Sequence, residues 1–125
     1  MKRAVVDEGT PAEVAALLTS PEVEVANFPD TWRSLPDKHV LQAAAQGFNW
    51  LITWDRNMPH QQHLRELALS VLVLPVAAFP EIDRIRTPVS LALLRPFLGR
   101  FVVLDRAGGI IGVPSTHLSG SQGTS

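Results

Sequence analysis

The chain has no cysteine, only two lysines, and no apolar run approaching the roughly 20 residues of a membrane span. Without cysteine there can be no disulfide, thiolate-bound zinc or iron–sulfur cluster. Any metal must then be held by oxygen or imidazole, which favours hard cations. The same absence fits a reducing compartment. Met1-Lys2-Arg3 leads into only Ala4-Val5-Val6 before Asp7, too short for the apolar core of a signal peptide. These absences predict a cytoplasmic protein with no membrane association. The basic residues are arginines apart from Lys2 and Lys38, and the formal net charge is −1. A chain so balanced does not grip nucleic acid by bulk electrostatics, because that affinity comes largely from cationic contacts to phosphate.

What is present suffices for one core, since 46% of the 125 residues are hydrophobic and the length fits a single domain. Residues 1–117 are read as that domain. Residues 118–125, rich in Gly, Ser and Thr, are read as a disordered tail. Arg3-Ala4-Val5-Val6 is a short strand stopped by Asp7-Glu8. Thr10 is placed to cap the next helix, with Pro11 at its first position, Glu13 completing a capping box, and Val14, Ala15, Leu17 and Leu18 on its apolar face. Glu22 to Asn27 alternates polar and apolar, as a strand near a sheet edge does. A loop from Phe28 to Pro36, carrying Trp32, precedes a helix with Asp37 as its N-cap and Gly47 as its end.

Further along, Pro59 opens a helix carrying His60 and His63, and Val71-Leu72-Val73-Leu74 is a buried strand. Pro80 to Leu98 is predicted helical, broken in two by Pro88. Phe101–Leu104 and Gly109–Val113, joined through Asp105-Arg106-Ala107-Gly108, are predicted to form a terminal hairpin. Strands alternating with helices imply βαβ units with right-handed crossovers and a mainly parallel sheet, hence an α/β fold.

The most informative stretch is Trp50-Leu51-Ile52-Thr53-Trp54-Asp55-Arg56-Asn57, an apolar run of strand length that ends in a carboxylate. Open parallel sheets bind ligands beyond the carboxyl ends of their strands, so Asp55 is a candidate site residue, and Asp7 and Glu8 end the first strand in the same way. Carboxylates about 4 to 6 Å apart repel by a few kcal/mol at an effective dielectric near 20, so a cluster of them calls for protons, basic neighbours or a divalent cation. Mg²⁺ or Mn²⁺ on two or three carboxylates can activate water and neutralise charge developing on a phosphodiester.

Plainer roles compete with this reading. Asp37 can be a simple N-cap, Asp55 a turn residue paired with Arg56, and Glu8 a solvated neighbour. His60 and His63, flanked by glutamines, read as a solvated face before a metal pair. Trp50 belongs in the core. Trp54 points to the opposite side from Thr53, and a base-stacking role stays open for it. Asp55-Arg56-Asn57-Met58-Pro59, with Asp7-Glu8, also has the look of the phosphoacceptor region of a receiver domain. Receivers need a lysine after a later strand, and this chain has none beyond Lys38.

Taken together, Val6-Asp7-Glu8-Gly9-Thr10-Pro11, Trp32 through Asp37, Ala44-Ala45-Gln46-Gly47-Phe48, Thr53-Trp54-Asp55-Arg56-Asn57, Gln61-Gln62-His63-Leu64 and Val71-Leu72-Val73-Leu74 resemble the PIN-like domains. The resemblance is to a small family of unknown function related to toxins of the VapC type, and it spans most of the chain. It implies a three-layer α/β/α sandwich and metal-dependent endoribonuclease activity with Mg²⁺ or Mn²⁺. Asp7, Asp37 and Asp55 match the family's acidic positions as catalytic residues and metal ligands, and Glu8, Thr53, Arg56 and Asn57 line the site. The implied partners are RNA as substrate, an antitoxin-like protein, and a second copy of the chain in a homodimer. A catalytically inactive PIN-like scaffold that binds a protein partner is the alternative. Full nucleases of this type carry a further glutamate on a helix between the first strand and the helix at Asp37. That region is shorter here, and its nearest acids, Glu13 and Glu24, are read as a capping-box residue and an exposed strand residue.

Overall fold

The computed structural model describes residues 1–56, 66–76, 78–95 and 101–112. The strands are β1 (Lys2–Val6), β2 (Val23–Ala26), β3 (Trp50–Thr53), β4 (Ser70–Val73), β5 (Phe101–Leu104) and β6 (Ile110–Gly112). They form one sheet in the order β2-β1-β3-β4-β5-β6. The first five strands run parallel, and β6 returns antiparallel against β5. The helices are α1 (Ala12–Leu18), α2 (Asp37–Gly47), α3 (Phe79–Arg84) and α4 (Arg86–Leu93). This is the α/β architecture expected from the alternation of elements. β2 lies at one edge, as its polar–apolar alternation predicts, and the terminal hairpin closes the other. Among the described residues no helix is long and apolar enough to cross a membrane.

Both faces of the sheet are covered, which is why β3 and β4 are apolar but for Thr53 and Ser70: every one of their residues is buried. Side chains alternate along each strand. Ala4, Val6, Trp50, Ile52, Leu72, Val102 and Leu104 pack under Val14, Ala15 and Leu18 of α1, Ile82 of α3, and Val89, Ala92 and Leu93 of α4. Val5, Leu51, Val71, Val73 and Phe101 face Val40, Leu41 and Ala44 of α2. Trp50 lies in the core as expected, and its indole N–H donates to the Leu93 carbonyl at 2.9 Å, which satisfies the one polar atom that burial would orphan.

Three local expectations are corrected. Thr10 does not cap α1. Pro11 takes the N-cap position, so the helix starts at Ala12, too late for the capping box of Thr10 and Glu13. The Thr10 hydroxyl is buried without a hydrogen-bond partner among the described residues. Likewise Pro36, not Asp37, is the N-cap of α2, and Asp37 is the first helical residue with no side-chain capping bond. The plain capping role therefore does not account for Asp37.

The break in the third helical segment falls at Ile85, three residues before Pro88. A proline lacks the N–H that would bond four residues back, and its ring crowds that carbonyl. Pro88 thus unseats Arg84 and itself lies in the first turn of α4, where a missing N–H is harmless. The expected helix from Pro59 with His60 and His63, Asn57, the glutamine pair, Val113 and the tail 118–125 lie outside the described residues.

Candidate functional site

From β1 the chain passes through α1 to β2 on one side, then through α2 back past β1 to β3 on its other side. The two crossovers lie on opposite faces, so neither covers the space beyond the carboxyl ends of β1 and β3. Such a reversal of strand order is where open α/β sheets form a ligand crevice. Asp7 is the first residue after β1, and Thr53 is the last residue of β3.

Asp7 is fixed from both ends. Its backbone N–H donates to the Ile52 carbonyl at 2.8 Å, extending the β1–β3 ladder by one residue. Its side chain accepts from the Glu8 N–H on Oδ1 at 2.8 Å and from the Thr53 hydroxyl on Oδ2 at 2.8 Å. Thr53 is 1% exposed. Its Oγ1 also accepts the Asp55 N–H at 3.1 Å. A hydroxyl carries a single proton, and here it points at Asp7 while a lone pair receives Asp55. Thr53 thereby ties the two strand-end carboxylate residues into one hydrogen-bonded unit.

The electrostatics bring in the third carboxylate. Burial pushes the Asp7 carboxyl above its ordinary value of 3.8; the bonds from Thr53 and Glu8 pull it down, and the nearby charges of Asp37 and Asp55 push it further up. Asp7 therefore feels the charges of both Asp37 and Asp55. Asp37 is exposed at the N-terminus of α2, where the helix dipole favours an anion. Among the described residues no group of three His, Asp or Glu side chains is gathered tightly enough to hold a metal ion as it stands.

Around this centre the structure assigns contacts that spacing in the sequence does not reveal. Glu8 is not merely solvated, because Arg33 Nη1 donates to its Oε2 at 3.1 Å while Arg33 Nε donates to Asp30 Oδ1 at 3.0 Å. Such exposed pairs contribute at most about 1 kcal/mol, so their effect is to position the loop and not to stabilise the fold. The loop is held by Trp32, which meets Phe28 and Phe48 edge-on at 5.7 and 5.9 Å. Ser34 turns the chain in the left-handed region at φ 72°. Arg56 is exposed beside Asp55.

Trp54 is exposed just past the end of β3, and its Cζ2 lies 3.8 Å from where a Cβ on Gly9 would be. The substitutes considered for a fourth acid stand elsewhere. Glu24 is paired with Arg3 at 3.1 Å, three residues before the end of β1, and Glu13 is exposed on α1. A cavity of about 310 Å³ lined by Lys38, Gln42, Glu66 and Leu67 runs beside α2, starting one residue beyond Asp37.

The chain matches no protein-family model, no curated protein and no solved structure.

Proposed function

We propose that this protein is a PIN-like endoribonuclease that uses Mg²⁺ or Mn²⁺ and acts as the toxin of a toxin–antitoxin pair, with Asp7 and Asp55 as the principal cation ligands and Asp37 as the third carboxylate. The observation that carries this reading is the Asp7–Thr53–Asp55 unit at the strand-order reversal. It places a partly buried carboxylate, pushed above its ordinary value, in the field of two others. A structural role gives no reason to bury a carboxylate among like charges, whereas a bound cation relieves both the desolvation and the repulsion. The donors are all hard oxygens, the set that Mg²⁺ and Mn²⁺ prefer.

When bound, the cation supplies an activated water and neutralises charge on the phosphodiester. The chain's own groups do the rest. Thr53 keeps the Asp7 carboxylate turned into the crevice, the Glu8 N–H holds its other oxygen, and Arg33 draws the Glu8 side chain toward the loop that precedes α2.

The strand order β2-β1-β3-β4-β5 is shared by several doubly wound folds, so topology does not assign the chemistry. A phosphate-cradling site in the same place would present N–H donors after β1, not the acids Asp7 and Glu8. A receiver site would need a lysine after β5. That strand is followed instead by Asp105, whose Oδ1 accepts the N–H groups of Ala107 and Gly109 within its own turn.

The inactive-scaffold alternative draws on the far edge of the sheet, where exposed Ile110 of β6 and exposed Leu91 of α4 line one groove suited to an antitoxin-like partner or a second copy. Mn²⁺ binding separates the two readings. Calorimetric titration of wild type, Asp7→Asn and Asp55→Asn is expected to show one Mn²⁺ site in the wild type and at least a ten-fold weaker site in each variant. At a free Mn²⁺ concentration of about 100 times Kd the cation should stabilise the wild type by about 2.7 kcal/mol. Binding should weaken as pH falls toward 4, because protons compete for Asp7. Equal binding by all three proteins, or none by any, favours the scaffold.

A further inference from the structure

The three tryptophans have different surroundings. Trp50 is buried with its N–H bonded, and Trp32 is held between two phenylalanine rings. Trp54 is 44% exposed, and it is the one aromatic residue among the exposed large hydrophobics of the described chain. It stands between Thr53 and Asp55, so its ring is rooted within one residue of the bridging hydroxyl and of one of the two carboxylates it joins. Its Cζ2 lies 3.8 Å from where a Cβ on Gly9 would stand, beside the β1–α1 turn that Gly9 makes at φ +86°. Packing does not require this exposure, since an indole is among the largest apolar groups and gains most when covered.

We propose that Trp54 is the stacking platform for an unpaired nucleobase of a single-stranded RNA whose phosphodiester lies at Asp7 and Asp55. This rests on the nuclease reading and adds what that reading leaves open, namely how an acidic site in a chain of net charge −1 holds a polyanion. Among the described residues the cations at this edge include Arg33, already engaged by Glu8 and Asp30, and Arg56, exposed beside Asp55. Set against three carboxylates, these arginines leave part of the affinity to the bases, and a base presents a neutral π-face to which aromatic side chains bind regardless of sequence. A duplex offers no such face beside its scissile bond, so the platform selects single strands.

The test uses Trp54→Leu, which keeps apolar cover over the Gly9 turn but cannot stack, and Trp54→Phe, which can. The first readout is quenching of tryptophan fluorescence on titration with single-stranded RNA about 12 nucleotides long, a length such grooves accommodate. This readout does not depend on cleavage. The second is steady-state cleavage of the same RNA with Mn²⁺.

Expected are quenching in the wild type, its loss in Trp54→Leu, and a loss of kcat/KM of about ten-fold in that variant, carried by KM and largely restored in Trp54→Phe. Unchanged quenching and KM in Trp54→Leu would overturn the platform while leaving the nuclease reading intact. So would a Phe variant as impaired as the Leu variant. Quenching that depends on Trp54 in a protein that cleaves nothing would support the platform and refute the nuclease. Absence of both overturns both.

Discussion

Asp7→Asn is expected to lower RNA cleavage by about 10³-fold or more, the scale on which loss of a preorganised electrostatic group is felt, and to leave a protein that melts higher than the wild type at pH 7. The two effects share one cause. Folding raises the Asp7 carboxyl above its ordinary value of 3.8, chiefly because burial removes water from the charged form. The native state therefore binds a proton that the unfolded chain releases. Stability from this group is fully present below pH 3.8 and is lost as pH rises through the raised native value.

Asparagine has the same shape and no charge. Its carbonyl can take the Glu8 N–H and its amide can donate to the second lone pair of Thr53 Oγ1; the Thr53 hydroxyl proton, which points at Asp7 in the wild type, then loses its acceptor, and that loss offsets part of the gain. In melting curves without divalent cations the variant should match the wild type at the acid end of the window and exceed it above. Saturating Mn²⁺ should shrink the gap by stabilising only the wild type. A variant that is less stable than the wild type at pH 7 in chelator would mean that Asp7 supports the fold, and the functional argument for its burial would fail. Stability given up at a site where activity needs charge is a familiar trade.

Gly108→Ala should destabilise the fold by about 3 kcal/mol, on the order of 10 °C in Tm, with no part in the chemistry. Gly108 closes the turn between β5 and β6 at φ +85°, where its N–H donates to the Asp105 carbonyl at 3.0 Å. A Cβ there would lie 2.7 Å from Cβ of Pro88 and closer still to its Cγ. The proline is a ring within the first turn of α4 and has no rotamer by which to withdraw. Gly9→Ala provides the comparison. Gly9 has nearly the same φ, but its added Cβ would meet only Trp54 Cζ2 at an ordinary 3.8 Å, so only the backbone cost of roughly 1 to 2 kcal/mol applies. Chemical denaturation of both variants isolates the Pro88 contact as the difference. Equal losses would mean that α4 yields to the methyl group.

Much of the architecture was legible because it rests on local physics. β3 and β4 are apolar but for Thr53 and Ser70 because both faces are covered, β2 alternates because it lies at an edge, and the third helical segment breaks in two. The departures are one to three residues long and arise from proline. Pro11 and Pro36 displaced Thr10 and Asp37 from the capping positions that residue preference gave them, and Pro88 broke the helix at the carbonyl behind it.

In the candidate site, Asp7, Thr53 and Asp55 are legible as residues at strand ends, and the hydrogen bonds that join them follow from the order β2-β1-β3. The Arg33–Glu8 pair and the contact of Trp54 with Gly9 join residues 25 and 45 positions apart. No periodicity encodes such pairs. The first forms only once the loop before α2 has closed on the β1–α1 turn, and the second only once β3 has paired with β1.

The central claim is that the carboxylates at the ends of β1 and β3 hold a cation that cleaves RNA. The most direct measurement is the rate of single-stranded RNA cleavage by wild type and Asp55→Asn, each with Mn²⁺ and each with chelator. The account predicts cleavage by the wild type with Mn²⁺ alone, with the other three samples at background. Equal rates in all four, whether measurable or nil, would contradict it.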